Sequence, residues 1–577
     1  MATKIAPTTH HSAQDHAARF TDKQRTIALV IVAMAFIMDL LDTTIVNIAI
    51  PSIQANLGAS YATIQWLIAG YALTFATLLI TGGRMGDVYG YKKIFMFGVG
   101  GFTVASLLCG VAGNSEMLIA ARLLQGAMAA LMVPQVMSLM QIMYKPHERG
   151  NILGIFGALA GVAATLGPIV GGILIHFNIA GLDWRPIFLI NIPVGIFSFI
   201  MARKFLPDGK SPHPLHLDLV GTGIIVITLF LLVFPLIQGR ELGWPKWSFA
   251  LMIAALPMLL IFAWWQRKKE AADGSPLVVP ALLKTKTFVT GLIINLTFEG
   301  AMLGFFLPFT LILQVGLGFD VIKAALTGIP TAIGISVTMA VFSQKLIPKL
   351  GRYTMVLGAF LMSSGLLILY GMLKHYGQDM SSWLFIPGLL LVGAGMALIM
   401  APMFSVALTD VDARHAGSAS GVLNAVQQLG GAVGIALLGL FFFTHLASNA
   451  PHSFDTVAPQ IRHDLSALRL PASAQDPILQ AAKTCYVDRS SATDSSKTPE
   501  SCKRLEAAGT QSANLPNGVG QKIGTSITSA VKQANNANFI DSFRVSVLFE
   551  LTILATVVAL SFLLPRHIRT TDPELAA

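Results

Sequence analysis

Gly83-Arg84-Met85-Gly86-Asp87-Val88-Tyr89-Gly90-Tyr91-Lys92-Lys93 is a short polar interruption between two apolar runs, residues 61–82 and 94–112. Each run approaches the roughly 20 residues that a helix rising about 1.5 Å per residue needs to cross a hydrocarbon core about 30 Å thick. The interruption therefore reads as a tight turn at a membrane surface. Gly90 permits the bend, Asp87 sits at a helix end, and the Lys92–Lys93 pair holds the turn at the inner face. An ordinary basic loop accounts for the lysines but not for the spacing of the glycines and the aspartate around them.

The rest of the chain repeats this alternation. Of 577 residues, 54% are hydrophobic and only 12% charged, and the mean hydropathy is +0.67. A soluble chain carries about 25% charged residues, so lipid is the solvent these numbers describe. Disordered, fibrous and disulfide-scaffold classes are excluded. The net charge of +10, from 39 basic and 29 acidic residues, does not indicate a nucleic-acid partner. The basic residues fall in short clusters between apolar runs, as in cytoplasmic loops of polytopic membrane proteins, and the 52 glycines suit close helix contacts in a bilayer.

Six spans are read at 27–50, 61–82, 94–112, 117–138, 152–175 and 187–202, two more at 217–239 and 249–266, and a final six at 288–313, 324–344, 353–373, 382–405, 418–445 and 541–564. The fold class is thus an all-α polytopic membrane protein of about 14 helices. Residues 1–26 form a polar tail with no signal-peptide core. With that tail inside, the inner segments carry about 23 Lys plus Arg and the short outer loops about 4, which places both termini in the cytoplasm. Residues 27–205 make one six-helix bundle. Residues 288–445 with 541–564 make a second, 217–266 link the two, and 565–577 form the closing tail. Each bundle is expected to consist of inverted three-helix repeats.

Residues 446–540 form a long polar connection that the span count places outside. Within it, 454–468 and 518–537 have amphipathic helical spacing, and 490–496 is turn-prone. A surface cap or disordered insert is one reading, and a lid or partner-docking element the other. Cys485 and Cys502 lie here, in a compartment that permits a disulfide, although spacing alone does not establish its geometry. Cys109, in the third span, reads as a packing residue.

Five stretches, taken in order, resemble the motifs of the major facilitator superfamily in its 14-span drug:proton antiporter branch. The 83–93 turn is similar to motif A, with Gly83, Arg84, Asp87, Gly90, Lys92 and Lys93 at its positions; the resemblance implies that Asp87 belongs to a latch on the inner gate. Leu41-Asp42-Thr43-Thr44-Ile45-Val46-Asn47-Ile48-Ala49-Ile50-Pro51 resembles the first-span motif of that branch. Leu118, Arg122, Gln125 and Gly126 match motif B, whose Arg the resemblance assigns to proton relay. Gly167, Pro168, Gly171 and Gly172 match motif C, which accompanies exporters and points to gating. The segment from Trp184 to Gly195 resembles the entry to span six, with Pro186 where an aromatic residue is usual. In the second half the counterpart of motif A is degenerate, with Gln344, Pro348, Gly351 and Arg352 at the matching places and no aspartate, so it implies no symmetric latch.

Ionisable residues inside spans are costly and default to functional readings. Asp39 and Asp42 stand three residues apart on one helical face, Asp39 near midplane about 18 Å in and Asp42 about 12 Å from the outer end. Arg122, about 9 Å from the outer end of its span, shares the depth of Asp42. Low dielectric opposes ionisation of a carboxylate and a nearby Arg favours it. Asp42 is accordingly expected to be the proton-coupling carboxylate held by Arg122, with a static salt bridge as the alternative. Asp39 is either part of this site or a hydrogen-bonded packing residue. Glu299, about 16 Å into the ninth span, either faces the central cavity to meet a cationic substrate or a proton, or is protonated and bonded to a neighbour. Asn424, Gln427 and Gln428 line the pathway or join helices. Glu550 and Arg544 read as a local ion pair.

No Walker A loop, metal-ligand cluster or nucleophile triad is legible, so no enzyme and no cofactor is expected, with protons as the coupling ion. The expected activity is secondary active efflux by alternating access, exchanging hydrophobic, cationic drugs or toxic compounds for protons across a bacterial inner membrane. The expected partners are the lipid bilayer, small hydrophobic substrates and protons, with a periplasmic adaptor protein as a further candidate and no nucleic acid. The alternatives are export or flipping of lipid precursors or organic anions on the same fold, and, more remotely, a receptor or scaffold that uses 446–540.

Overall fold

Helix α1, Asp22–Leu57, starts in a reciprocal cap: Thr21 Oγ1 accepts from the Gln24 amide at 3.3 Å, and Gln24 Oε1 accepts from the Thr21 amide at 3.1 Å. It stops at Gly58, whose φ of 59° lies in the left-handed region that glycine tolerates. Ser60, Asn114 and Asp320 cap later helices through the same side-chain chemistry. The computed structural model describes residues 21–144, 146–211, 216–239, 241–412, 416–468, 470–492, 498–512 and 519–566. Most of the two expected tails, part of the turn-prone 490–496 stretch and the first residue of 518–537 lie outside the described residues.

The described chain is helical, without strands. After α1 come α2 (Tyr61–Tyr89), α3 (Tyr91–Gly110), α4 (Ser115–Met143), α5 (Pro146–His176) and α6 (Pro186–Phe205). Next are α7 (Leu219–Gln238) and α8 (Lys246–Asp273), then α9 (Lys286–Leu311), α10 (Val321–Phe342), α11 (Tyr353–Tyr376) and α12 (Ile386–Ala407). α13 (Ala416–Ala467), α14 (Ala472–Ser491), α15 (Glu500–Ser512) and α16 (Val519–Ser561) complete the order. Thirteen helices among the described residues are long and apolar enough to cross a bilayer, and α5, with its apolar stretch Leu166–His176, occupies the place of the remaining expected span. The chain is a multi-pass membrane protein.

Small residues let the helices approach. A Cβ on Gly82 would overlap the Ala130 carbonyl oxygen, and one on Gly434 would overlap the Gly300 backbone, so α2 packs directly on α4 and α13 on α9. Linker helix α7 seats Leu229, Val233 and Ile237 against Trp66 and Leu73 of α2 and Ala432 and Ala436 of α13, covering the seam where the two halves meet.

The 446–540 connection is helical over both stretches of amphipathic spacing, and its helices extend further than that spacing indicated. α13 runs without a break past the last residues of its span, and α16 begins well before its own, so both amphipathic segments are continuations of membrane helices. Ala450, Phe454, Val457, Ile461 and Leu465 on α13 meet Ile523, Ile527, Ala530 and Ala534 on α16, with Ala482 and Tyr486 from α14, in a separate apolar core. Cys485 and Cys502 are joined in a disulfide that ties α14 to α15, with Cα atoms 4.6 Å apart. The result is a helical cap on one end of the bundle, referred to below as the capped end.

Several polar and aromatic contacts join the halves there. Gln65 donates to the carbonyls of Ile435 and Ala436 at 3.2 and 3.4 Å, and Gln314 to that of Ile48 at 3.0 Å. The rings of Tyr61 and Phe443 lie 3.9 Å apart, and Gly172 brings α5 against Val321 and Ala325 of α10.

Candidate functional site

The first-half acids sit on α1, where Asp39 and Asp42 are 4% and 1% exposed. Asp42 forms an ion pair with Arg122 of α4, both side chains being buried. Its Oδ1 also accepts from Gln125 Nε2 at 2.8 Å and from Asn191 Nδ2 of α6 at 2.9 Å. Gln125 cannot turn its amide around without loss, because its Oε1 accepts from Arg122 Nη1 at 2.6 Å while its Nε2 reaches Ser106 of α3 at 2.9 Å. Arg122 spends its Nε on the Leu67 carbonyl of α2 at 2.9 Å, and its guanidinium lies 4.3 Å from the centre of the Tyr71 ring. Helices α1, α2, α3, α4 and α6 thus converge on one fully buried polar cluster.

Tyr71 is the hinge of this arrangement. Its ring supports Arg122, and its hydroxyl donates to Asp39 Oδ1. Gly126 makes room for it: a Cβ there would overlap the Tyr71 carbonyl oxygen and Thr74 Oγ1. The motif B glycine therefore sets the α2–α4 distance at the level where Arg122 and Tyr71 stack.

Glu299 of α9 is 2% exposed and accepts from Gln427 Nε2 of α13 at 2.6 Å. Gln428 is half-buried, and Asn424 is exposed, its amide donating to the Ser420 carbonyl one turn back at 2.9 Å. These residues do not join the α1–α4 cluster. Glu550 is buried on α16, and the ion pair expected between it and Arg544 is absent. Arg544 instead pairs with Asp541 at 2.7 Å and reaches Tyr370 at 3.2 Å, because a separation of three residues on one helix brings Asp541 alongside and leaves Glu550 further along the helix.

The 83–93 turn is held locally. Gly90, at φ 104°, breaks the helix, and Asp87 accepts from the Tyr91 hydroxyl at 2.9 Å. Lys92 lies 3.8 Å from Asp208, and Lys93 is exposed. Arg84 turns inward and donates to the carbonyls of Ser275 at 2.9 Å and Pro276 in the connection from α8 to α9, and to that of His216 at 3.4 Å in the connection from α6 to α7. Gly83 faces Pro134, whose Cβ would lie 3.6 Å from a Cβ placed on the glycine. In motif C, Gly167 and Gly171 press on Thr44, Ile45 and Ile48 of α1, Gly172 faces α10, and Pro168 is half-buried inside α5.

Sequence reading missed Tyr71, Ser106 and Asn191. Asn191 and Ser106 carried a usable signal, a polar side chain inside an apolar run, but nothing in the sequence shows that both face Asp42.

The sequence profile of the Major Facilitator Superfamily matches residues 32–435. The "Probable actinorhodin transporter" of Streptomyces coelicolor is 40% identical over 94% of this chain and 92% of its own. The puromycin resistance protein of Streptomyces alboniger is 33% identical, over 72% of this chain and 82% of its own. Among solved structures, a bacterial homologue of the human lysosomal transporter Spinster, inward-facing and unoccupied, superposes with a TM-score of 0.56 at 15% identity, over 96% of this chain and 100% of that one.

Proposed function

Since the chain belongs to the Major Facilitator Superfamily, and is therefore a transporter and not an enzyme, we propose that it exports hydrophobic, cationic compounds in exchange for protons. Relatives named as transporters of antibiotics or as resistance proteins support efflux. The observation that carries proton coupling is the buried cluster of Asp42, Arg122, Gln125 and Asn191, since ionisable residues inside membrane spans are costly and mark proton and substrate pathways. Glu299, acidic and deep in the second half, favours positively charged cargo.

The two halves rock about the seam between them. In the arrangement described, the contacts of Gln65, Gln314 and Gly172 hold the capped end together. The membrane is a bacterial inner membrane, with the cap outside and both termini in the cytoplasm. Ethidium efflux from proteoliposomes under an imposed pH gradient tests the reading. Gradient-dependent efflux that falls at least about tenfold in Asp42→Asn and weakens in Glu299→Gln supports it, a tenfold change being about 1.4 kcal/mol of coupling. Transport of organic anions or lipidic compounds in place of ethidium would overturn the cargo assignment while leaving the coupling to be read from the same variants.

A further inference from the structure

The two carboxylates of α1 have different kinds of partner. Among the described residues every partner of Asp42 is a donor held in that role. Arg122 has no acceptor, the Gln125 amide is fixed by its own bond to Arg122, and Asn191 Nδ2 is shared with Ser106 at 3.3 Å. A proton added to Asp42 would point a hydroxyl at donors and set Arg122 free as an unpaired buried charge. Among the described residues Asp39 has one hydrogen-bond partner, the Tyr71 hydroxyl, which donates to a carboxylate and can rotate to accept from a carboxylic acid. The charged or titratable groups acting on Asp39 are Tyr71 from α2, Asp42 from its own helix and Arg122 from α4, while α6 contributes the uncharged Asn191.

We propose that Asp39 with Tyr71 is the proton-exchange site of the first half, and that Asp42 remains ionised as the fixed counter-ion of Arg122. This rests on the proton-coupled reading above and moves the exchangeable proton from the carboxylate expected on sequence grounds to its neighbour one turn away. The step needs no co-reactant: one proton from water converts the Asp39 carboxylate to the acid, and the same proton leaves to water on the other side. Tyr71 is a positioning residue that reports the change, because its hydroxyl touches Asp39 while its ring carries Arg122. Protonation removes the charge-assisted bond that anchors the Tyr71 hydroxyl, and so loosens the ring against which Arg122 lies.

The test is infrared titration of the purified full chain in lipid, following carboxylic-acid C=O bands between about pH 5 and 9, a window that spans the range to which burial moves carboxyl groups. Wild type is expected to show a titrating band that disappears in Asp39→Asn. In Tyr71→Phe its midpoint moves by about one pH unit towards higher pH, since the donor to the ionised form is gone. Titrating intensity in Asp39→Asn equal to that of wild type overturns the proposal, bands of the other buried acids Glu299 and Glu550 being common to both, as does an unchanged midpoint in Tyr71→Phe. Tyr71→Phe keeps the ring under Arg122, so it separates the hydroxyl's role from folding. Ethidium efflux measured on the same preparations keeps the two readings apart: absence of gradient-driven efflux in wild type would overturn the proton-coupled reading, whatever the infrared bands show.

Discussion

Arg122→Met removes four things at once: the ion pair to Asp42, the hydrogen bonds to Gln125 and to the Leu67 carbonyl, and the cation over Tyr71. The first decides the magnitude. Asp42 would be left as a buried carboxylate with two amide donors, and stranding one member of a buried pair costs about 3–5 kcal/mol. Asp42→Asn on top of it removes the stranded charge and leaves an amide among amides, a loss of about 1–3 kcal/mol in hydrogen bonding relative to wild type. The double variant should therefore be more stable than Arg122→Met alone, with a coupling energy of at least about 1 kcal/mol. Thermal unfolding in one fixed lipid and detergent mixture, followed by tryptophan fluorescence, measures all four members of the cycle. Melting of the double variant below both single variants, by the sum of their losses, would refute the claim that Asp42 and Arg122 form one buried electrostatic unit.

Gly434→Val should lower the melting temperature through an overpacking cost of about 1–3 kcal/mol, because its side chain would enter the Gly300 backbone; melting equal to wild type would contradict the close α9–α13 approach. Cys485→Ser opens a cross-link whose ends are 17 residues apart, which the chain-entropy account values at about 3 kcal/mol, and should make α14 and α15 markedly more sensitive to limited proteolysis while the membrane helices stay resistant. Arg84→Ala leaves the carbonyls of Ser275, His216 and Pro276 without their charged donor, at about 1.5–3 kcal/mol for a charge-assisted bond, and faster amide exchange in the segment from Ser275 to Leu282 is the expected sign.

Much of the fold was legible because lipid imposes a simple rule on each span, and hydropathy reads that rule directly. In the cap the amphipathic spacing was legible but its continuity with the membrane helices was not, although Ala450, Phe454, Val457, Ile461 and Leu465 repeat at three- and four-residue steps beyond the end of the thirteenth span. Falling hydropathy was taken as the end of a helix, whereas it marks the point where α13 leaves lipid and enters water with its period intact. At the site, depth alone brought Asp42 level with Arg122, since a helix converts residue number to distance. Which way each face turns is set by packing, so Asn191 and Ser106 entered the cluster only with the structure. Tyr71 was hidden for a further reason, because an aromatic residue in a span is unremarkable until an arginine is found against its ring.

The most direct test of proton exchange runs the cycle in reverse. Proteoliposomes containing the full chain and a trapped pH-sensitive dye are given an ethidium gradient with no imposed pH gradient. Proton movement opposite to ethidium in wild type, and its loss in Asp42→Asn and in Asp39→Asn, is the expected result. Ethidium movement with no accompanying change in lumen pH would contradict proton-coupled export.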